Sequence, residues 1–150
     1  MWILAGGDGE AIDRARPVLE AFAARVVTAG PIGSGSALKL AHHVVVYVSY
    51  LAVAEGLALA RAAGVGEGLL REVTVASGTL SAQAAVYLEG RESARRDPDD
   101  PELARALRTF ADLLEKDLRH AVHLARSHGI DLPGSELVST MGEELYRQAT

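Results

Sequence analysis

Apolar and polar positions follow two rhythms along this chain. Trp2-Ile3-Leu4-Ala5 is a short apolar run closed by Gly6-Gly7-Asp8-Gly9, the pattern of a strand and a turn. Glu10 to Ala24 then repeats at helical spacing, with Pro17 predicting a kink or division, and Arg25 to Thr28 reads as a second strand. Two short strands make no stable sheet in water, so residues 1–30 read as the closing αβ piece of a larger α/β domain. From Gly30 onward the rhythm is helical. Ser34, after Pro31-Ile32-Gly33, is the expected N-cap of a long helix reaching Ala63, where Gly64-Val65-Gly66 stops it. Shorter helices are expected over 67–76 and 81–89, the second ended by Gly90, and the charged run Arg91 to Asp99 reads as a solvated loop. Asp100 caps a further helix that has Pro101 at its first position and Gly129 past its end at His128, and a last helix is expected over Ser135–Arg147. The prediction is a mainly α fold built on one long central helix, with a short N-terminal β-α-β piece and a boundary at 30/31.

The two longest helices differ in pattern. The first is apolar on nearly all sides, so it is expected to be surrounded by other helices or by a partner. Its longest apolar run, Val44 to Ala54, contains Ser49 and ends at Glu55, short of the roughly 20 residues that a membrane span requires, which favours a buried core helix. One small domain cannot cover every side of such a rod, so a homodimer through the helix at 34–63 is expected. The second long helix carries a seam of Leu103, Leu107, Phe110, Leu114, Ala121 and Leu124, in which Asp117 takes a position that asks for an apolar residue.

Composition narrows the chemistry. At 150 residues with 49% hydrophobic side chains, the chain can bury one good core. Its net charge is −5 and its arginines are scattered among acids, so no basic stripe is present and nucleic acid is not an expected partner. There is no cysteine, which excludes thiol nucleophiles and thiolate metal sites and agrees with a reducing cytoplasm. His120 and His123 are three apart, but such a pair supplies only two ligands, and the consecutive His42 and His43 point about 100° apart, so no metal site is expected. The glycines form neither GxGxxG after a strand nor a P-loop, and there is no GxSxG elbow.

Two lysines stand against thirteen arginines, and both lie in segments with chemical potential. An arginine-rich chain keeps lysine where a compact ammonium with a movable pKa is needed. Lys39 lies one turn inside the long helix in GPIGSGSALKLAHH, whose glycines and helix-start N–H groups suit a carboxylate or phosphate. Lys39, His43, Tyr47 and Tyr50 fall along one helical stripe, a candidate site wall; the alternative is a cap, a snorkelling lysine and tyrosines reaching solvent. Lys116 precedes the inward Asp117, which needs either a site or a specific buried pair, or else pairs with Lys116 or an arginine at the rim.

These segments resemble the C-terminal part of the β-hydroxyacid dehydrogenases, the 3-hydroxyisobutyrate dehydrogenase and 6-phosphogluconate dehydrogenase group. Gly33-Ser34-Gly35-Ser36-Ala37-Leu38-Lys39-Leu40-Ala41-His42-His43 is similar to the family's G-x-G-x-x-x-K-x-x-N-N segment, and Lys116-Asp117-Leu118 to its later K-D-L. The Ala54–Val65 run agrees as well. The resemblance implies an all-helical dehydrogenase C-terminal domain, with residues 1–30 a remnant of a Rossmann-type nucleotide domain and the main cofactor site outside the chain. It implies NAD or NADP as cofactor, Lys39 as general acid/base, and Gly33, Ser34, Gly35, His43 and Asp117 around a small hydroxy acid or semialdehyde. Lys116 would face the nicotinamide. His43 replaces the family asparagine and His42 its neighbour; the family's aromatic eight residues before the aspartate is here Thr109. The chain alone is expected to be incomplete and inactive. Alternatives are a non-catalytic helical dimerisation or small-acid-binding module, and a split enzyme completed in trans.

Overall fold

The computed structural model describes residues 1–147, which divide into a first unit of Met1–His43 and a second that begins at Val44.

In the first unit β1 (Trp2–Gly6) and β2 (Arg25–Gly30) lie parallel, Trp2 opposite Arg25 and Leu4 opposite Val27, joined through α1 (Gly9–Glu20). Parallel strands need such a crossover, since a tight turn returns the chain antiparallel. Asp8 caps α1 by accepting from the Ala11 amide at 2.9 Å. Pro17 does not divide α1. The carbonyl that its missing N–H would have served belongs to Asp13, which is exposed to water. The helix ends at Glu20, short of the expected Ala24, because the Ala24 amide bonds the Met1 carbonyl at 2.8 Å and joins the sheet instead. The long helix α2 (Ser34–Ala62) begins in this unit and continues in the second, with Ser34 already inside the helix.

The second unit contains the rest of α2, then α3 (Glu67–Ala76), α4 (Ala82–Arg96), α5 (Pro101–Ser127), α6 (Pro133–Val138) and α7 (Gly142–Arg147). Leu114, Leu118 and Val138 are fully buried at its centre, with Ala84, Tyr87, Leu88, Ala111 and Leu145 around them. α5 starts where its chemistry says it should: the Asp100 carboxylate accepts from the Glu102 and Leu103 amides at 2.8 and 3.2 Å, and Gly129 takes a φ of 71° past the other end.

Three expectations are corrected here. α4 runs through Gly90 to Arg96, and residues 91–96 are helix rather than loop. Arg91 is buried at 4% exposure, its Nη1 donating to the Tyr87 hydroxyl and the Leu145 carbonyl, both at 2.7 Å, while Arg95 pairs with Glu67 on α3 at 3.1 Å. Charge in this stretch is absorbed by partners on other elements, so the helix need not stop for water. The last segment is two helices, not one: the chain breaks after Val138 and restarts at Gly142, whose amide donates to Glu115 at 3.1 Å. A Cβ at Gly142 would stand 2.9 Å from the Ala111 carbonyl oxygen, so the close seating of α7 on α5 requires glycine there.

The third correction concerns α2. It was expected to be buried, yet only Tyr50 and Leu57 among its apolar residues are, and Leu38, Val45 and Leu59 are 41%, 71% and 71% exposed. Among the described residues it is the one helix long and apolar enough to cross a membrane by length and composition, because Ser49 and Glu55 dilute an 18-residue window too little to disqualify it.

Candidate functional site

The first unit holds Gly33, Ser34, Gly35, Lys39 and His43 within eleven residues of chain. Backbone packing sets the place of this segment. A Cβ on Gly35 would overlap the Leu4 carbonyl of β1, and one on Gly6 would stand 2.7 Å from both the Gly35 nitrogen and the Pro31 oxygen. Strand end and helix start therefore meet backbone to backbone, an approach open only to glycine. Gly33 has a φ of 93°, the left-handed conformation that turns the chain into α2, and the Ser34 amide closes that turn on the Pro31 carbonyl at 3.0 Å. One turn into the helix stands Lys39, exposed, and a turn further His43, half-buried, with its ring 5.8 Å from that of His42.

The second unit holds Lys116 and Asp117. Asp117 is buried at 3% exposure on the inner side of α5 beside Leu114 and Leu118, as its seam position demanded. The Lys116 ammonium reaches it at 3.2 Å, with 46% of the lysine side chain exposed and 5% of the aspartate's. A buried carboxylate is tolerable when a cation meets it, and here the cation stands at the rim while the carboxylate lies inside. Tyr47 of α2 belongs to the same neighbourhood. Burial first, and then the negative charge of Asp117, raise its hydroxyl above the ordinary tyrosine pKa.

Of the expected stripe, Lys39 and His43 belong to the first unit and Tyr47 and Tyr50 to the second. Tyr50 is buried and stacks on Tyr87 with centroids 4.3 Å apart and planes 4° from parallel, Tyr146 standing edge-on to both. All four tyrosines of the chain join this cluster, Tyr47 edge-on to Tyr50 at 5.7 Å. Burial pushes Tyr50 up to about 12 and raises Tyr87 and Tyr146 as well. Those hydroxyls stay protonated and serve packing. Arg91 is the polar residue that sequence reasoning missed; its signal was the i, i+4 spacing to Tyr87.

Against known proteins, residues 33–150 match the family described as the NAD-binding part of NADP-dependent 3-hydroxyisobutyrate dehydrogenase. An uncharacterized oxidoreductase of Mycobacterium tuberculosis is 33% identical over 135 residues, 90% of this chain and 45% of the relative. The NAD-dependent L-serine dehydrogenase of Pseudomonas aeruginosa is 28% identical over 145 residues, 97% of this chain and 48% of the relative. Among solved structures, 3-hydroxyisobutyrate dehydrogenase from Salmonella typhimurium superimposes with a TM-score of 0.71 at 28% identity, covering 94% of this chain and 47% of that one. The chain thus spans about half the length of the curated relatives it matches.

The matched helical region is itself described as NAD-binding, so NAD(P) is its cofactor and the part of that site carried by residues 33–150 lies within this chain. Lys116 fits that group: an ammonium has three N–H donors, and contact with one carboxylate leaves others for a carbonyl or phosphate oxygen.

Proposed function

This chain belongs to the 3-hydroxyisobutyrate dehydrogenase family of NAD-binding oxidoreductases, and we propose that it is the C-terminal catalytic and dimerisation part of a cytoplasmic β-hydroxyacid dehydrogenase whose general acid/base is Lys39. The observation that carries this reading is the coincidence of both lysines of the chain with the matched region, one a turn inside the helix whose start glycines press against β1 and one on a buried carboxylate. The nicotinamide, when bound, supplies the hydride chemistry. The residues of this chain do the rest.

Hydride removal from a carbinol carbon requires the hydroxyl proton to leave as well, and the reverse reaction requires the oxygen to be protonated. Lys39 takes and returns that proton, a role open to an amine and closed to a guanidinium, which cannot be deprotonated. Gly33, Ser34 and Gly35 receive the substrate carboxylate at the start of α2. Lys116 donates toward the nicotinamide end of the cofactor, and Asp117, fixed in the core, holds Lys116 in place. The substrate is a small hydroxy acid or semialdehyde of the kind named for the relatives, 3-hydroxyisobutyrate or L-serine.

Turnover on this reading needs a nucleotide-binding domain beside the helical part. The exposed apolar surface of the first unit, with Trp2 at 61% and Phe22 at 59% exposure, suits such a neighbour. The exposed apolar residues of α2 suit a second copy of the chain, giving a homodimer through this helix.

The test uses the protein joined to or mixed with its nucleotide-binding domain. Lys39→Arg should lower kcat by about a hundredfold or more, the usual weight of a positioned acid/base, with circular dichroism unchanged. Wild-type turnover in that variant would remove Lys39 from the mechanism.

A further inference from the structure

The second unit has a cavity of about 220 Å³ where the end of α4, the first turns of α5 and the short α7 meet. One water needs only roughly 10–15 Å³ of such space, so the cavity has room for a small organic molecule. Much of its wall is apolar, with Ala94, Pro98, Leu103 and Leu107 among the lining residues. Leu103 and Leu107, and beside them Ala104 and Arg108, stand four apart on adjoining rows of α5, which sets an apolar surface next to a guanidinium. Four charged residues line the cavity, and two of them are engaged: the Asp100 carboxylate caps α5 through the Glu102 and Leu103 amides, and Glu143 has a partner. Asp97, just past the end of α4, and Arg108 are exposed and make no side-chain hydrogen bond or ion pair among the described residues.

A carboxylate and a guanidinium that line one cavity without pairing, at the border of an aliphatic wall, complement a molecule with both charges and an aliphatic body. We infer that the cavity is a binding site for a free aliphatic amino acid. Its ammonium donates to Asp97, its carboxylate accepts from the Arg108 fork, and its side chain lies against Leu103 and Leu107. Arg108 stands eight residues before Lys116, about 12 Å of helix rise, so this site is separate from the one around Lys116 and does not rest on the reading of either lysine. A ligand held there ties the end of α4 to α5 and stabilises the folded second unit.

The probes are L-leucine, isocaproate, which is leucine without its ammonium, and isoamylamine, which is leucine without its carboxylate. Each is titrated at neutral pH into the 150-residue chain, and binding is followed by backbone amide NMR. L-leucine should bind saturably, move amides within 94–111, and bind at least about fivefold tighter than either analogue, the attraction of one pair of unit charges about 4 Å apart in a solvated site. Asp97→Asn should remove most of the advantage over isocaproate, and Arg108→Gln most of the advantage over isoamylamine. Both residues are exposed, so circular dichroism should be unchanged. Ala104→Phe, which fills the cavity and leaves both charges in place, should weaken all three ligands. The assignment is overturned by the absence of saturable leucine binding, by analogues that bind as well as leucine, or by a preference that survives both charge variants. Shifts confined to residues 33–43 and the neighbourhood of Lys116 would overturn it too, since leucine would then occupy the lysine site.

Discussion

α2 and α5 are nearly equal in length, 29 and 27 residues, and they solve opposite problems. α5 presents one apolar face, and the chain covers it: Ala111, Leu114, Leu118, Ala121 and Val122 are buried, and Asp117 among them has its cation. α2 is apolar around most of its girth, and the chain covers little of it. A periodic pattern tells a helix which side to bury, and one chain suffices to bury it. An aperiodic apolar pattern demands cover on every side, which a chain of this size cannot give. The stability of the second unit therefore rests on α5, while much of the apolar surface of α2 stays exposed.

Truncation of equivalent aliphatic side chains breaks or sustains this contrast most directly. Leu114→Ala, at a position with 0% exposure, should cost about 2–5 kcal/mol of unfolding free energy in urea. Val45→Ala, at 71% exposure on α2, should change it by less than about 0.5 kcal/mol in dilute protein. Similar losses at both sites would show that α2 is as well covered as α5.

How far the sequence revealed this division follows the same line. The limits of α3 and α5 were legible because they are set locally: Gly66 precedes the first, and Asp100, Pro101 and Gly129 punctuate the second. The inward place of Asp117 was legible because the seam names it. The length of α4 was not, since Gly90 and a charged run look like an ending, and the partners that sustain the helix, Leu145 and Glu67, lie far off in sequence. The break before Gly142 escaped for a similar reason: it depends on Glu115 and Ala111 of another helix. At the site, the glycine turn and Lys39 stand out by local chemistry, whereas the fate of Tyr50 was decided by Tyr87 and Tyr146, which no spacing within α2 discloses.

The tyrosine cluster sharpens the comparison, because it is where α2 does meet the core. Tyr50, Tyr87 and Tyr146 have pKa values raised by burial, Tyr50 to about 12, while an unfolded chain ionises its tyrosines near pH 10. A raised acid favours the folded state in its neutral form. Its contribution is whole below about pH 10 and falls as the pH climbs toward 12, by at most about 1.4 kcal/mol per pH unit for each tyrosine. Alkaline titration should therefore show phenolate absorbance appearing together with loss of helix between about pH 10 and 12. Tyr50→Phe keeps the stacked ring and should shift that transition upward. Phenolate signal from all four tyrosines near pH 10 with helicity intact would mean that the cluster is open to water.

The smallest effect on stability is expected where the effect on assembly is greatest. Val45 and Leu59 stand about four helical turns apart on α2, each 71% exposed, so an aspartate at both positions removes no core contact and should leave the unfolding free energy of the monomer within about 0.5 kcal/mol. If that stripe is the surface on which a second copy lies, two carboxylates from each chain would be buried there without cations, a cost that no dimer of this size offsets. Sedimentation equilibrium at micromolar concentration should show a dimer for the wild type and a monomer for the double variant, with equal helicity. A dimer in both places the interface elsewhere on the molecule. A wild type that is monomeric in solution but partitions onto phospholipid vesicles, with the double variant released, would give the stripe to a membrane rather than to a second chain, since α2 meets the length and apolarity of a span.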